Sequence, residues 1–341
     1  MVTGGVNTVG IDLGSANTLI YVHNKGIVLR EPSVVSIDTN NGSLVAIGTE
    51  AKAMVGKTPG NIRVIRPLRN GVIADFDITR TMIKHFLRSV LNKFSIRSPW
   101  VIISIPYGIT DIEKRAVIEA AQQSGAKKTL LIEEPLAAAI GAGLSVEEPS
   151  GHMIVNIGAG TSEIAVISLG GIVTAVSLKV AGDALDMAIY NHLKKIYRIE
   201  IGLITAENFK IKYADAFNAP DDIAYIRGIN MKTGLPIAKE ISIVEINKVI
   251  QDTLKDLILA IRQVFESTPP QLASDIIEKG IVLTGGSANL KSLDQYIASK
   301  VELSVTVPPD PEDCVVLGTG QITKNTKALT RISLMGHQNF P

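Results

Sequence analysis

Cys314 is the only cysteine in a chain of 341 residues. A lone thiol excludes an intramolecular disulfide framework and a cysteine-based metal cluster, and it suits a reducing compartment. An excess of one charge is also missing: 34 Lys and Arg stand against 33 Asp and Glu, a formal net charge of +1. No global field draws the chain to nucleic acid or to an acidic substrate, so no nucleic-acid partner is expected and charge must be read locally. Apolar runs never approach the ~20 residues that a membrane span needs, so any membrane contact is peripheral. The opening MVTGGVNTVG has no basic segment followed by an apolar one, so no secretory signal is expected; the lone thiol makes a cytoplasmic protein the simplest reading. Low-complexity linkers are absent too, which predicts lobes that interleave along the chain. What is present is ample core material, 46% hydrophobic and 20% charged residues, in a length that predicts two or more lobes.

Residues 9–18, VGIDLGSANT, run from apolar residues through a polar one, Asp12, into a turn of small residues. Residues 155–163, VNIGAGTSE, repeat the layout with Asn156 in the polar place. A shift of 144 lays Asp12 on Asn156 and Gly14 on Gly158, and the later Gly26 and Gly171 align with one inserted residue. Both 9–30 and 153–178 read as strand, tight turn, strand and a further strand. This is an internal duplication. Small residues in such a turn let backbone N–H groups approach phosphate oxygens, so two facing turns form a polyphosphate clamp. An ordinary hairpin is the alternative for either turn taken alone.

Between the copies, 98–108 reads as a buried strand ending at a Pro turn. Residues 109–126 read as an amphipathic helix with Ile112, Ala116, Ile118, Ala120 and Ala121 on one side and Gly125 as its stop. Residues 129–144 give a strand, the pair Glu133-Glu134, Pro135 at a helix start and an alanine-rich helix. A carboxylate at a helix N-terminus is favoured there, so Glu134 either orients a water or simply caps the helix. In the second half, Gly182-Asp183 opens a helix, where Asp183 either caps or meets a ribose hydroxyl. TAENFKIKYADA (205–216) reads as a short helix with Glu207 and Lys210 spaced as a surface ion pair. Residues 279–300 read as strand, the turn Thr-Gly-Gly-Ser-Ala-Asn, then helix, an arrangement that lets a flat ligand lie against backbone.

Taken together, IDLGSANTLIYV, REPSVVSI, KTPGNIRVIRPLRNGVIADF, LIEEPLAAAIGAG, IGAGTSEIAVISLGG, TAENFK, VLTGGSANL and LGTG resemble, in order and spacing, the MreB family of bacterial actins. The likeness runs from about residue 7 to about residue 325. It implies the α/β actin/Hsp70/hexokinase-type ATPase fold, two duplicated lobes around Mg-ATP. It also implies subdomains IA (1–31, 73–143, 316–341), IB (32–72), IIA (144–180, 246–315) and IIB (181–245). By position, Gly14, Ser15, Ala16 and Asn17 would form the first phosphate turn, and Gly158, Ala159, Gly160 and Thr161 the second. Asp12 and Asn156 would face Mg2+ through water, Glu134 and Thr161 would place the attacking water, and Glu207 and Lys210 would border adenosine. Gly285, Gly286, Ser287, Ala288 and Asn289 would face the base and α-phosphate. The resemblance further implies paired antiparallel filaments of identical subunits at the inner face of the cell membrane, with other family members and cell-shape proteins as partners.

Membrane contact has two candidates. Phe94 and Ile96, beside Lys93 and Arg97, either form an apolar wedge for anionic lipids or fold back onto the core. The tail 324–341 either anchors or is a solvated terminus. One departure bears on chemistry. Relatives read D-I-G-G-G-T-T where this chain has Asn156, Ala159 and Ser162. Asn lacks the charge of Asp and cannot serve as a base. Ala159 requires a place outside the left-handed backbone region. Because Asp12, Glu134 and Thr161 are kept, slow ATP hydrolysis is expected. A chaperone-type ATPase on the same fold would want a peptide-binding domain after the core, and a kinase an acceptor-binding base; neither is visible in the sequence.

Overall fold

The computed structural model describes residues 8–94, 99–218 and 220–323. The chain divides into two compact units, Met1–Glu148 with Leu169–Gly171 and Asp313–Pro341, and Pro149–Ser168 with Ile172–Glu312. Each is built on one five-stranded mixed sheet, whose ten strands are numbered here in chain order. Unit 1 holds β1 (Thr8–Leu13), β2 (Asn17–Val22), β3 (Gly26–Pro32), β4 (Trp100–Ile105) and β5 (Lys128–Glu133) in the order β5-β4-β1-β2-β3. Unit 2 holds β6 (His152–Ile157), β7 (Ser162–Ser168), β8 (Gly171–Leu178), β9 (Ile281–Thr284) and β10 (Val305–Thr306) in the order β8-β7-β6-β9-β10.

The duplication read in the sequence reappears as hydrogen-bond register. In unit 1, Val9, Gly10, Ile11, Asp12 and Leu13 pair with Val22, Tyr21, Ile20, Leu19 and Thr18. Adding 144 to every number gives the pairing of β6 with β7, Met153 with Val166 through Ile157 with Ser162. β4 and β9 then join β1 and β6 in parallel on the other side. A one-residue slip would exchange the two faces of either sheet, so shared register means shared side-chain placement.

Alternation along the strands sends Val9, Ile11 and Leu13 into the core of unit 1 with Met82, Phe86 and Val117, and Met153, Val155 and Ile157 into that of unit 2 with Ile250, Leu254 and Ile297. Each such side chain contributes roughly 1.5–3 kcal/mol when fully buried. Helix Ile243–Glu266 shows why: Ile243, Ile246, Ile250, Leu254, Leu257, Ile261 and Val264 recur at helical spacing and are all buried. Helix Asp111–Gln123 corrects the sequence reading of its face. Its buried residues are Val117, Ala120 and Ala121, whereas Ile112 is 81% exposed. The first turn is held instead by a capping box, with Glu113 N donating to Thr110 Oγ1 and Thr110 N to Glu113 Oε2. Gly125 does end this helix, at φ +113°. Each unit also carries a small three-stranded sheet, built from 35–65 in unit 1 and from 199–242 in unit 2.

Candidate functional site

In unit 1 the turn after β1 has its carbonyls tied down. Ser33 Oγ donates to Gly14 O at 2.6 Å, and Ser33 N to Ala16 O at 2.9 Å. Gly71 N donates to Ser15 Oγ at 2.9 Å, which links the turn to the loop at 70–71. A Cβ on Gly14 would stand 2.7 Å from the carbonyl oxygen of Asn17, so only glycine fits. Among the described residues no acceptor meets the amides of Ser15 and Ala16. Asp12, the polar residue of β1, accepts from Ser104 Oγ at 3.2 Å. Burial pushes its carboxyl up to about 7, with the Ser104 hydrogen bond opposing and Asp313 adding repulsion. Glu134 is buried as the first residue of helix Glu134–Gly141, with Pro135 behind it; Glu133 holds the N-cap place and makes no side-chain cap. Glu134 is therefore inside the helix rather than its cap.

In unit 2 the corresponding turn is gathered from three sides. Gly158 O accepts from Ser287 Oγ at 2.7 Å and from Gly182 N at 3.1 Å, and Ala159 O accepts from Asp183 N at 2.8 Å. The turn closes on itself through Gly158 N to Thr161 O at 2.9 Å. Helix Gly182–His192 thus starts directly on the turn. A Cβ on Gly182 would fall 2.9 Å from Ser287 Oγ and 3.4 Å from the Ala159 Cα. Ala159 avoids the left-handed region, so its methyl group is accommodated. The amides of Ala159 and Gly160, and the hydroxyl of buried Thr161, have no partner among the described residues.

The glycine-rich turn after β9 supplies the third side. Gly285 has φ +88°, and a Cβ there would lie 2.3 Å from Ile157 O, so this position also requires glycine. Gly286–Asn289 form a short 3-10 turn before helix Leu293–Val301, with Asn289 Nδ2 donating to Glu312 Oε2 at 2.8 Å. Asn156 on β6 accepts from Thr284 Oγ1 at 3.1 Å.

Two sequence readings change here. Asp183 is not a cap: Ala181 is the N-cap residue, and Asp183 lies exposed in the first turn. Lys210 is not a surface residue. Its Nζ sits 2.8 Å from Asp186 Oδ1 and donates to Gly182 O at 2.9 Å, with only 12% of its side chain exposed. Glu207 is half-buried on the same helix, Leu203–Tyr213. Within unit 2, then, Gly158–Thr161, Gly182, Asp183, Lys210 and Ser287 converge.

Four supporting residues escaped sequence reasoning: Ser104, Thr284, Asp186 and Ser33. The first two could have been found by extending the duplication to β4 and β9, because both follow a run of apolar strand residues. Asp186 had a signal in its place one turn after Asp183. The side chain of Phe94, Ile96 and the tail 324–341 lie outside the described residues. No helix among the described residues is long and apolar enough to cross a membrane.

Against known families, the model described as MreB/Mbl protein matches residues 6–331. The cell shape-determining protein Mbl of Bacillus subtilis (strain 168) is 47% identical over 327 residues, 96% of this chain and 98% of the relative. The cell shape-determining protein MreB of Escherichia coli (strain K12) is 45% identical over 341 residues, 98% of this chain and 96% of the relative. Among solved structures, MreB5 of Spiroplasma citri bound to ADP superposes with a TM-score of 0.90 at 35% identity, covering 96% of this chain and 98% of that one. The same protein bound to AMPPNP gives 0.89 at 33%, covering 98% and 99%. The fold is accordingly that of the actin-like ATPases, and the chain belongs to the MreB/Mbl family.

Proposed function

We propose that the chain binds Mg-ATP, hydrolyses it slowly, and polymerises with copies of itself into filaments at the inner face of the cytoplasmic membrane that act on cell shape. One observation carries the nucleotide reading. Two turns in matched register have their carbonyls consumed inside the fold and backbone amides left without acceptors. Such amides form an anion cradle, and in unit 2 the N-terminus of helix Gly182–His192 adds its partial positive charge. A 35% identical relative carrying ADP, and the same relative with AMPPNP, support an adenine nucleotide as the anion.

On this reading the amides of Ser15, Ala16, Ala159 and Gly160 hold phosphate oxygens. The glycines at 285 and 286 leave room beside backbone for the base and α-phosphate, and Lys210 and Glu207 border adenosine. Among the described residues no group of three or more His, Cys, Asp or Glu is placed to hold a metal. On this reading magnesium would be held by phosphate oxygens and water, the usual preference of that ion, with Asp12 accepting from a metal-bound water. When bound it neutralises charge on the phosphates. Glu134, a buried carboxylate, and Thr161, with its unused hydroxyl, orient the attacking water. Self-association and membrane contact rest on family membership and on the sequence of 92–97 and 324–341.

Phosphate release with ATP, set beside electron microscopy of the same sample, tests the reading. ATP binding with turnover above the protein-free control and paired filaments is the expected result; absence of nucleotide binding overturns it. Pelleting with anionic vesicles, for the unaltered chain, Phe94→Ala and a truncation after Thr323, tests the membrane part. Undiminished pelleting by both variants removes these two anchors.

A further inference from the structure

The polar residues next to last in β1 and β6 are held in the same way but are not chemically equivalent. Asp12 Oδ1 receives a hydrogen bond from Ser104 Oγ, one residue beyond the last paired position of β1 and β4. Asn156 Oδ1 receives one from Thr284 Oγ1, directly opposite it in the pairing of β6 and β9. Asp12 offers only acceptors, so Ser104 has to donate when that carboxyl is ionised. The repeated geometry gives Thr284 the same donor role, and Thr284 is fully buried, so its hydroxyl has no water to turn to. Asn156 is 3% exposed, and its Nδ2 has no partner among the described residues.

We infer that Thr284 is a positioning residue: it holds the oxygen end of the Asn156 amide and so turns the nitrogen end toward the terminal phosphate at the 158–161 turn. The inference rests on the reading of the chain as a nucleotide-binding protein. A water bound to magnesium points its hydrogens outward, so only an acceptor can hold it, and an amide nitrogen is a donor. What an amide N–H₂ fits is a phosphate oxygen, the same anion that the neighbouring backbone amides fit. Asp12 thus takes the metal side, while Asn156 takes the phosphate side and is not a ligand to metal-bound water. An aspartate at 156 would put a carboxylate where this chain puts a donor. Asn156 then makes the site prefer a nucleotide with a third phosphate over one with two.

The test is the ratio of the dissociation constants for ADP and AMPPNP, measured by titration calorimetry on the full chain with magnesium. The unaltered chain is expected to bind AMPPNP the tighter. A hydrogen bond to a charged group is strong enough that Asn156→Asp should lower this preference about tenfold or more. Thr284→Val, which keeps the shape and removes the donor, frees the amide to turn over and should lower it several-fold; Thr284→Ser should restore it. ADP affinity in each variant reports that the fold and the rest of the site are intact. An unchanged ratio in Asn156→Asp, or equal ratios in the Val and Ser variants, overturns the inference and leaves the nucleotide reading standing. Failure of the unaltered chain to bind either nucleotide overturns both.

Discussion

Asp186 is where two general rules give opposite signs. Lys210 Nζ lies 2.8 Å from Asp186 Oδ1, and both side chains are nearly buried, at 12% and 10% exposure. Removing one partner of a buried pair usually costs about 3–5 kcal/mol, because the other charge is left uncompensated. Yet the Asp186 carboxyl is pushed up from 3.8 to about 6: burial is the largest cause, Lys210 opposes it, and Glu207 and Asp183 add repulsion. Desolvation therefore outweighs the pairing. The unfolded carboxyl ionises near 3.8, while the folded one keeps its proton until about 6. Between those values the folded state binds more protons, so stability falls as pH rises, by about 1.4 kcal/mol per unit. The full loss, at most about 3 kcal/mol, is in place above the folded value. Asp186→Asn keeps an acceptor for Lys210, whose second contact, Gly182 O, is untouched. The variant should therefore be the more stable protein near neutral pH. Its advantage should shrink by about 1.4 kcal/mol between about pH 7.5 and about pH 5. Urea unfolding of the nucleotide-free chain at both values, with midpoints and slopes compared, reads this directly. A variant less stable than the parent near pH 7.5, or an advantage that does not change with pH, refutes the reasoning.

Other outcomes are as definite. Gly318→Ala places a Cβ 1.8 Å from Ala137 O, backbone that cannot yield, so it should cost at least the ~1–3 kcal/mol of ordinary overpacking; thermal unfolding measures it. Glu134→Gln should leave ATP bound in a titration while phosphate release falls about a hundredfold, because an amide does not hold and polarise the attacking water as a carboxylate does. Asn156→Asp replaces a donor by a carboxylate able to hold water through its hydrogens, so phosphate release should rise, by up to about 10- to 100-fold. A fall in release would place the carboxylate's effect on phosphate repulsion instead.

The sheets and their turns were legible in the sequence because they depend on short-range pattern. Apolar alternation fixes strand faces, and small residues fix turns, so Asp12, Gly14, Gly158 and Gly285 could be placed from neighbours in the chain. Partners contributed by distant strands were not. Ser104 meets Asp12 across 92 residues and Thr284 meets Asn156 across 128, and no local window contains either pair. Lys210 shows the same limit from the other side: spacing offered Glu207 as its partner, but packing of two helices supplied Asp186. Ile112 failed for a local reason. Helical periodicity gives a face without saying where along it the packing begins, and the first turn of this helix is occupied by its capping box.

Duplication explains why the two polar positions can diverge without disturbing the fold. Register and turn length are properties of the repeated backbone and are the same in both units, and in each a side-chain hydroxyl on the adjacent parallel strand, Ser104 or Thr284, meets the polar position. The residue at 12 or 156 reads out that fixed frame. With a carboxyl the frame presents an acceptor, suited to a hydrated cation. With an amide whose oxygen is already held, it presents a donor, suited to an anion. A single change of oxygen to N–H₂ therefore moves a position from the metal side of the chemistry to the phosphate side, at nearly constant volume. For this reason the ADP to AMPPNP ratio, rather than stability, is the quantity in which the difference between Asn156 and an aspartate should appear.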